Sequence, residues 1–130
     1  MQSDERQITS HHDGHGLNDS ITVIADRQTN GGASHRYVAI MPASQTDPGV
    51  PTPLHIQFQQ GARNEPGSIP GVTEAVLLAI LIDRLQGFQA GPFACTENDE
   101  QLVHLESALS ATRRRADERA KRGVLGKEQK

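Results

Sequence analysis

Most of the features that announce a protein class are scarce in this chain of 130 residues. There is one cysteine, Cys95, so no disulfide forms within the chain, and a lone thiol fits a reducing compartment. No apolar run reaches the roughly 18–20 residues that a membrane span needs, and the N-terminus lacks a signal-peptide core. We therefore expect a soluble, cytoplasmic protein. Hydrophobic residues make up only 35% of the chain and cluster between residues 20 and 110, so the core is smaller than the length suggests. A net charge of −3 and a pI near 6.0 argue against general coating of nucleic acid.

Catalytic signatures are missing too. There is no G-x-S-x-G elbow, no Walker loop and no GxGxxG after a strand. Asn30-Gly31-Gly32-Ala33-Ser34 is glycine-rich, but a plain hairpin turn explains it better than a phosphate loop. Cys95 beside a helix start reads as a small apolar residue rather than a nucleophile. His11, His12, Asp13 and His15 have the chemistry of metal ligands, yet a polar leader offers neither fixed geometry nor supporting groups. We expect no metal, no cofactor and no enzymatic turnover.

What the chain does contain falls into two parts, which predicts an α+β fold with a small N-terminal antiparallel sheet followed by a C-terminal antiparallel helical hairpin. Residues 1–19 are almost devoid of apolar side chains and read as a disordered leader. Ser20–Ala25 and His35–Met41 are β-branched or apolar strand candidates. Residues 42–53 hold Pro42, Pro48, Pro51 and Pro53, which cannot donate to a ladder, and are expected as a loop. Leu54, Ile56 and Phe58 alternate with polar neighbours as a half-buried third strand. The expected organisation is one domain over residues 20–126, with its sheet at 20–60 and its hairpin at 71–126, and a tail at 127–130.

The hairpin is the most informative segment. Val76 to Ile82 run without a polar break, so a helix there has no solvent face and needs cover all round. Thr73 is its expected N-cap, and it should end near Gln86–Gly87. Thr96 is the expected N-cap of a second helix carrying the stripe Leu102, Leu105 and Leu109, with Gly123 as its stop. At about 1.5 Å per residue this helix is roughly 39 Å long against roughly 20 Å for the first, so its basic half overhangs. That half holds Arg113, Arg114, Arg115, Arg119, Lys121 and Arg122.

A solvated helix end complementing its dipole and an anion grip explain these arginines about equally well. Phe88, Phe93 and Asn98 near the turn tip the balance, because rings stack on bases, Asn reads base edges and Arg forks onto phosphates. Within one chain the turn and the Arg end lie at opposite ends of the hairpin. Antiparallel pairing of two copies would bring them together, and would also cover the apolar helix.

The segment GVTEAVLLAILIDRLQGFQAGPFACTEN, the spacing to Leu105, Ala108 and Leu109, and the tail RRRADERAKRGVLG resemble the hairpin of phage nucleotide-sponge proteins, the anti-Thoeris sponges and their anti-CBASS relatives. GGASHRY at 31–37 and FQQG at 58–61 are similar to the anti-Thoeris branch, and the resemblance spans about residues 20–126. It implies a homo-oligomer, a dimer that assembles further into hexamers, acting in the cytoplasm of an infected bacterial host. It implies binding without cleavage of cyclic ADP-ribose isomers (glycocyclic ADP-ribose) made by TIR-domain sensors, with cyclic di- and trinucleotides held by some members in a second class of pocket. By motif it implies ligand contacts at Phe88, Asn98 and Arg115, with Arg36, Arg63 and Arg119 as further ligand-binding candidates. The chain departs from the pattern at Ser110-Ala111-Thr112, where an aromatic is expected, in the long proline-rich loop, and in GSIPG at 67–71, one residue longer.

The rival reading is a nucleic-acid-binding regulator that uses the basic half of the second helix, against which stand the acidic net charge and the apolar first helix. A hydrolase of the same signals lacks a base beside a nucleophile. Neither a membrane nor a nucleic-acid partner is expected.

Overall fold

β-Branched and apolar residues at Val23, Ile24, Val38 and Ile40 suit a pleated surface, and the chain is extended at each of them. A computed structural model describes residues 5–43, 49–124 and 127. Its sheet has four strands, β1 (Arg6–Ile8), β2 (Thr22–Ala25), β3 (Arg36–Met41) and β4 (Thr52–Gln57). They run antiparallel in the order β1-β2-β3-β4. One helical turn, α1 (Leu17–Ser20), precedes β2, and two long helices follow the sheet, α2 (Glu74–Gln89) and α3 (Thr96–Lys121). The fold is α+β, a sheet followed by helices, as expected.

Val38 lies opposite Ile24 on one side and His55 on the other, while Ala39 lies opposite Val23 and Leu54. Side chains two apart share a face, so Arg36 lies with Ile24, Val38 and Ile40, and Tyr37 with Ala25, Ala39 and Ile56. Ala25 is fully buried, and the Tyr37 and Phe58 rings meet edge-on with centroids 5.6 Å apart. Between β2 and β3 the chain turns through Gly31 and Gly32, both at positive φ, which a side chain would resist.

Two elements differ from expectation. The part of the leader that is described has defined structure: Arg6–Ile8 pairs with β2, and the Arg6 guanidinium donates to Ser34 Oγ at 2.7 Å. Asp19 then accepts the N–H groups of Asp13 at 2.9 Å, Gly14 at 3.1 Å and Gly16 at 3.4 Å. Those bonds, that of Gly14 foremost, hold the Asp19 carboxyl below the usual aspartate range, against a smaller opposing effect of desolvation. A polar segment needs no apolar core when a neighbouring strand and its own carboxylates satisfy its backbone.

The second difference is Pro53, which lies within β4 rather than in the loop. The bond from Phe58 N–H to the His35 carbonyl fixes the parity of this strand, so positions 53, 55 and 57 turn their backbone groups outward. β4 is an edge strand, and there Pro53 costs no ladder bond. Residues 1–4 of the expected leader, 44–48 of the proline-rich loop, 125–126, and 128–130 of the tail lie outside the described residues.

The described residues form two compact units, one built on the sheet and extending through Gly67–Gly71, the other built on α2 and α3 with residues 62–66. In the helical unit, the sheltered positions of α2 are Leu77 and Phe88 and, in one stripe, Ala75, Leu78, Ile82, Leu85 and Gln89. Asn98, Leu102, Leu105, Leu109, Thr112, Ala116 and Arg119 are those of α3. The α2 stripe and the α3 set alternate steps of three and four, the spacing of a coiled-coil seam. Elsewhere in the apolar run Leu77 is half-buried, while Val76 is 44% exposed, Ile80 59% and Leu81 47%. α3 ends with Gly123 at φ +73, the stop its sequence foretells.

Gly71 supplies a test of the sheet unit. A Cβ there would overlap the backbone of Gln57 and Phe58, whereas one at Gly49 would meet nothing. Gly71→Ala should lose roughly 1–3 kcal/mol of stability, the range for an overpacked site, and Gly49→Ala should lose little. Urea unfolding followed by Tyr37 fluorescence checks both, since the chain has one tyrosine and no tryptophan.

Candidate functional site

The turn between α2 and α3 gathers the residues best suited to hold a base. Phe88, on the last turn of α2, is half-buried, and the Arg84 guanidinium lies 4.9 Å from its ring centroid. Asn98, on the first turn of α3, is also half-buried, and its Oδ1 accepts from Gln101 Nε2 at 3.4 Å. Phe93 projects from the turn with 74% of its surface exposed. Arg84, which meets the Phe88 ring, also lines a groove of about 520 Å³ with Leu81, Leu85 and Leu105 as its apolar part. Its rim carries Arg84, His104, Glu97 and Glu100.

The turn is fastened by a residue that sequence reasoning passed over. Gln89 Oε1 accepts the N–H of Cys95 at 3.0 Å, and its Nε2 donates to the Cys95 carbonyl at 2.9 Å and to Asp99 Oδ1 at 2.7 Å. With its backbone so held, Cys95 takes the N-cap position expected of Thr96, which becomes the first residue of α3. The one available signal was a glutamine on the seam spacing, where an apolar residue would continue the stripe. Arg84 was likewise missed, although its place one turn before Phe88 made ring contact possible.

The arginines divide into structural and unengaged groups. Arg119 donates to the carbonyls of Val124 at 3.0 Å and Lys127 at 2.6 Å, so it holds the chain that leaves α3. Arg122 pairs with Glu118, and Arg114 donates to Ser110 Oγ at 3.3 Å. Arg115 is exposed and has no side-chain partner among the described residues. It follows Asn98 by seventeen residues, or roughly 25 Å along the helix. A single hairpin thus brings Phe88 and Asn98 to one end and leaves Arg115 far from them.

Arg36 belongs to the sheet unit, where it lines a shallow hollow of about 250 Å³ with Asp26 and Val38. Arg63 is exposed in the loop counted with the helical unit. Among the described residues no three His, Cys, Asp or Glu side chains converge as a metal site would require, and Cys95 is exposed with no partner for its sulfur.

No family model matches the chain. Over 75 residues it is 41% identical to Thoeris anti-defense 1 of Bacillus phage SBSphiJ7, a stretch covering 58% of this chain and 52% of that protein. The chain thus spans about half the length of this curated relative. The likeness to anti-Thoeris proteins read from the sequence is borne out.

The division among the arginines is testable without a ligand. Arg119→Ala should speed amide exchange over residues 120–124 and destabilise the end of α3 by about 1 kcal/mol, the net worth of a typical hydrogen bond. Arg115→Ala should leave both exchange and melting unchanged.

Proposed function

We propose that this chain, related over its matched stretch to Thoeris anti-defense 1, is a phage anti-Thoeris protein that works by sequestration. It binds a cyclic ADP-ribose isomer, glycocyclic ADP-ribose, made by a TIR-domain sensor in the infected cell, and holds it uncleaved. The observation that carries this reading is the split site: a half-buried ring and amide at one end of the hairpin, and an unengaged arginine some 25 Å away on a helix longer than its mate. Phe88 offers a π-face for adenine, Asn98 an amide for the base edge, and Arg115 a forked cation for the pyrophosphate. Arg36 in the sheet unit and Arg63 in the helical unit are, each by itself, further ligand-binding candidates by the resemblance.

Assembly follows from the same features. Covering a large apolar side chain is worth roughly 1.5–3 kcal/mol when burial is complete, and Val76, Ile80 and Leu81 keep about half their surface exposed in one copy. α3 begins with Glu97, Asp99 and Glu100 and ends with Arg119, Lys121 and Arg122, so two copies laid antiparallel match acid to base. Such a dimer, which the resemblance extends to a hexamer, sets one copy's turn beside its neighbour's Arg115. Light scattering at micromolar concentration should return at least a dimer.

The function is tested by incubating the protein with TIR-generated product, denaturing it by heat and recovering the small molecule. Intact nucleotide in full yield is expected, and cleaved product above background would favour a hydrolase instead. Arg115→Ala should weaken binding by about 30- to 1000-fold, on the order of 2–4 kcal/mol, and Phe88→Ala by roughly 1–3 kcal/mol. A DNA affinity falling steeply with salt would favour the regulator that the basic end of α3 brings to mind.

A further inference from the structure

Gln89 follows Phe88 directly, and its hydrogen-bond acceptor Asp99 follows Asn98 directly. The amide of Gln89 is fully committed: both donor hydrogens and its oxygen are engaged across the turn, at 2.7 to 3.0 Å. It also stands where the seam of Leu78, Ile82 and Leu85 would otherwise continue with an apolar side chain. Apolar contact alone would let α3 slide or rotate by a fraction of a turn against α2. Three directional bonds do not, because hydrogen bonds weaken steeply outside a narrow range of distance and angle.

We infer that Gln89, acting with Asp99, is a positioning residue for nucleotide binding: it fixes the spacing between the Phe88 ring and the Asn98 amide. The inference rests on the binding function proposed above. A stacked base leaves its edge at one height and one bearing, and an amide must meet that edge within about 2.7–3.2 Å. A shift of about 1 Å in the start of α3 would spare the stacking and lose the edge contact. Arg84 steadies the same ring from α2, so Gln89 joins two side chains that are each already restrained.

The test is a hydrogen-bond swap. Gln89→Glu sets a carboxylate against Asp99 and against the Cys95 carbonyl, both acceptors. Adding Asp99→Asn supplies a donor, so the double variant restores the bond to position 99 in reverse and keeps the bond from Cys95 N–H, leaving the Cys95 carbonyl as the one lost partner. Asp99→Asn alone still offers an acceptor and measures what loss of the Asp99 charge does by itself. Calorimetry with glycocyclic ADP-ribose should show Gln89→Ala and Gln89→Glu weakened by about five- to thirtyfold, the scale of one or two hydrogen bonds. The double variant should bind several-fold more tightly than Gln89→Glu alone, since two of the three bonds return and contacting residues couple.

Amide exchange at Cys95, which speeds up in Gln89→Ala if the clamp exists, gives a readout independent of ligand. If Gln89→Ala does not fold, the swap pair carries the test alone. Faster exchange at Cys95 with wild-type affinity would overturn the inference and leave the binding function standing, and so would failure of the double variant to recover. Wild-type protein that takes up none of the nucleotide would overturn the function reading, and this inference with it.

Discussion

The seam between α2 and α3 is one stripe wide, and that narrowness shapes the rest of the helical unit. Leu78, Ile82 and Leu85 on one helix and Leu102, Leu105 and Leu109 on the other are sheltered at three-and-four spacing. Beyond that stripe α2 has only Leu77 and Phe88 half-buried among its large apolar side chains. α2 was built from an unbroken apolar run, so its other faces keep Val76, Ile80 and Leu81 half in water. α3 is 26 residues long against 16 for α2, so its sheltered positions run from Ala116, beside the start of its mate, on to Arg119. An uncovered apolar face and an overhanging basic end arise from the same mismatch in length and width.

Polar bonds finish what the seam leaves loose. At the closed end, Gln89 sets where α3 begins; at the open end, Arg119 turns back onto the chain that follows it. Both stand on the seam spacing and both are hydrophilic, each bonded to the chain next to a helix end. The arginines with structural duties are thereby told apart from Arg115, which has none among the described residues. That distinction bears on function more than the count of arginines does, because a cation already satisfied by backbone carbonyls is a poorer grip for phosphate.

The legible parts of the sequence were those with a long period. A helix of sixteen residues and one of twenty-six leave a pattern that local accidents do not erase, and β-branched runs marked β2 and β3. β1 was not legible, since Arg6–Ile8 has no pattern of its own and exists by pairing with β2. Pro53 misled because its cost depends on which way the residue faces in an edge strand, a parity set by the partner. For the candidate site, Phe88 and Asn98 could be read from residue type and nearness to the turn. Gln89 and Arg119 could not, because a polar side chain says nothing of its partner until the chain is folded. Arg119, a ligand candidate by residue type, shows its bonds to the Val124 and Lys127 carbonyls only in the fold.

The central claim is that the nucleotide site is shared between copies, with Phe88 and Asn98 from one and Arg115 from another. Mixing Phe88→Ala protein with Arg115→Ala protein tests it most directly. Neither variant alone has an intact site. After subunits exchange, a mixed dimer holds one site in which both defects meet and one in which neither occurs. The account predicts that an equal mixture recovers about a quarter of the wild-type binding capacity at wild-type affinity, as random pairing with two-fold symmetry requires. A mixture that binds no better than its separate components, under conditions where exchange is demonstrated, would contradict a site shared in this way.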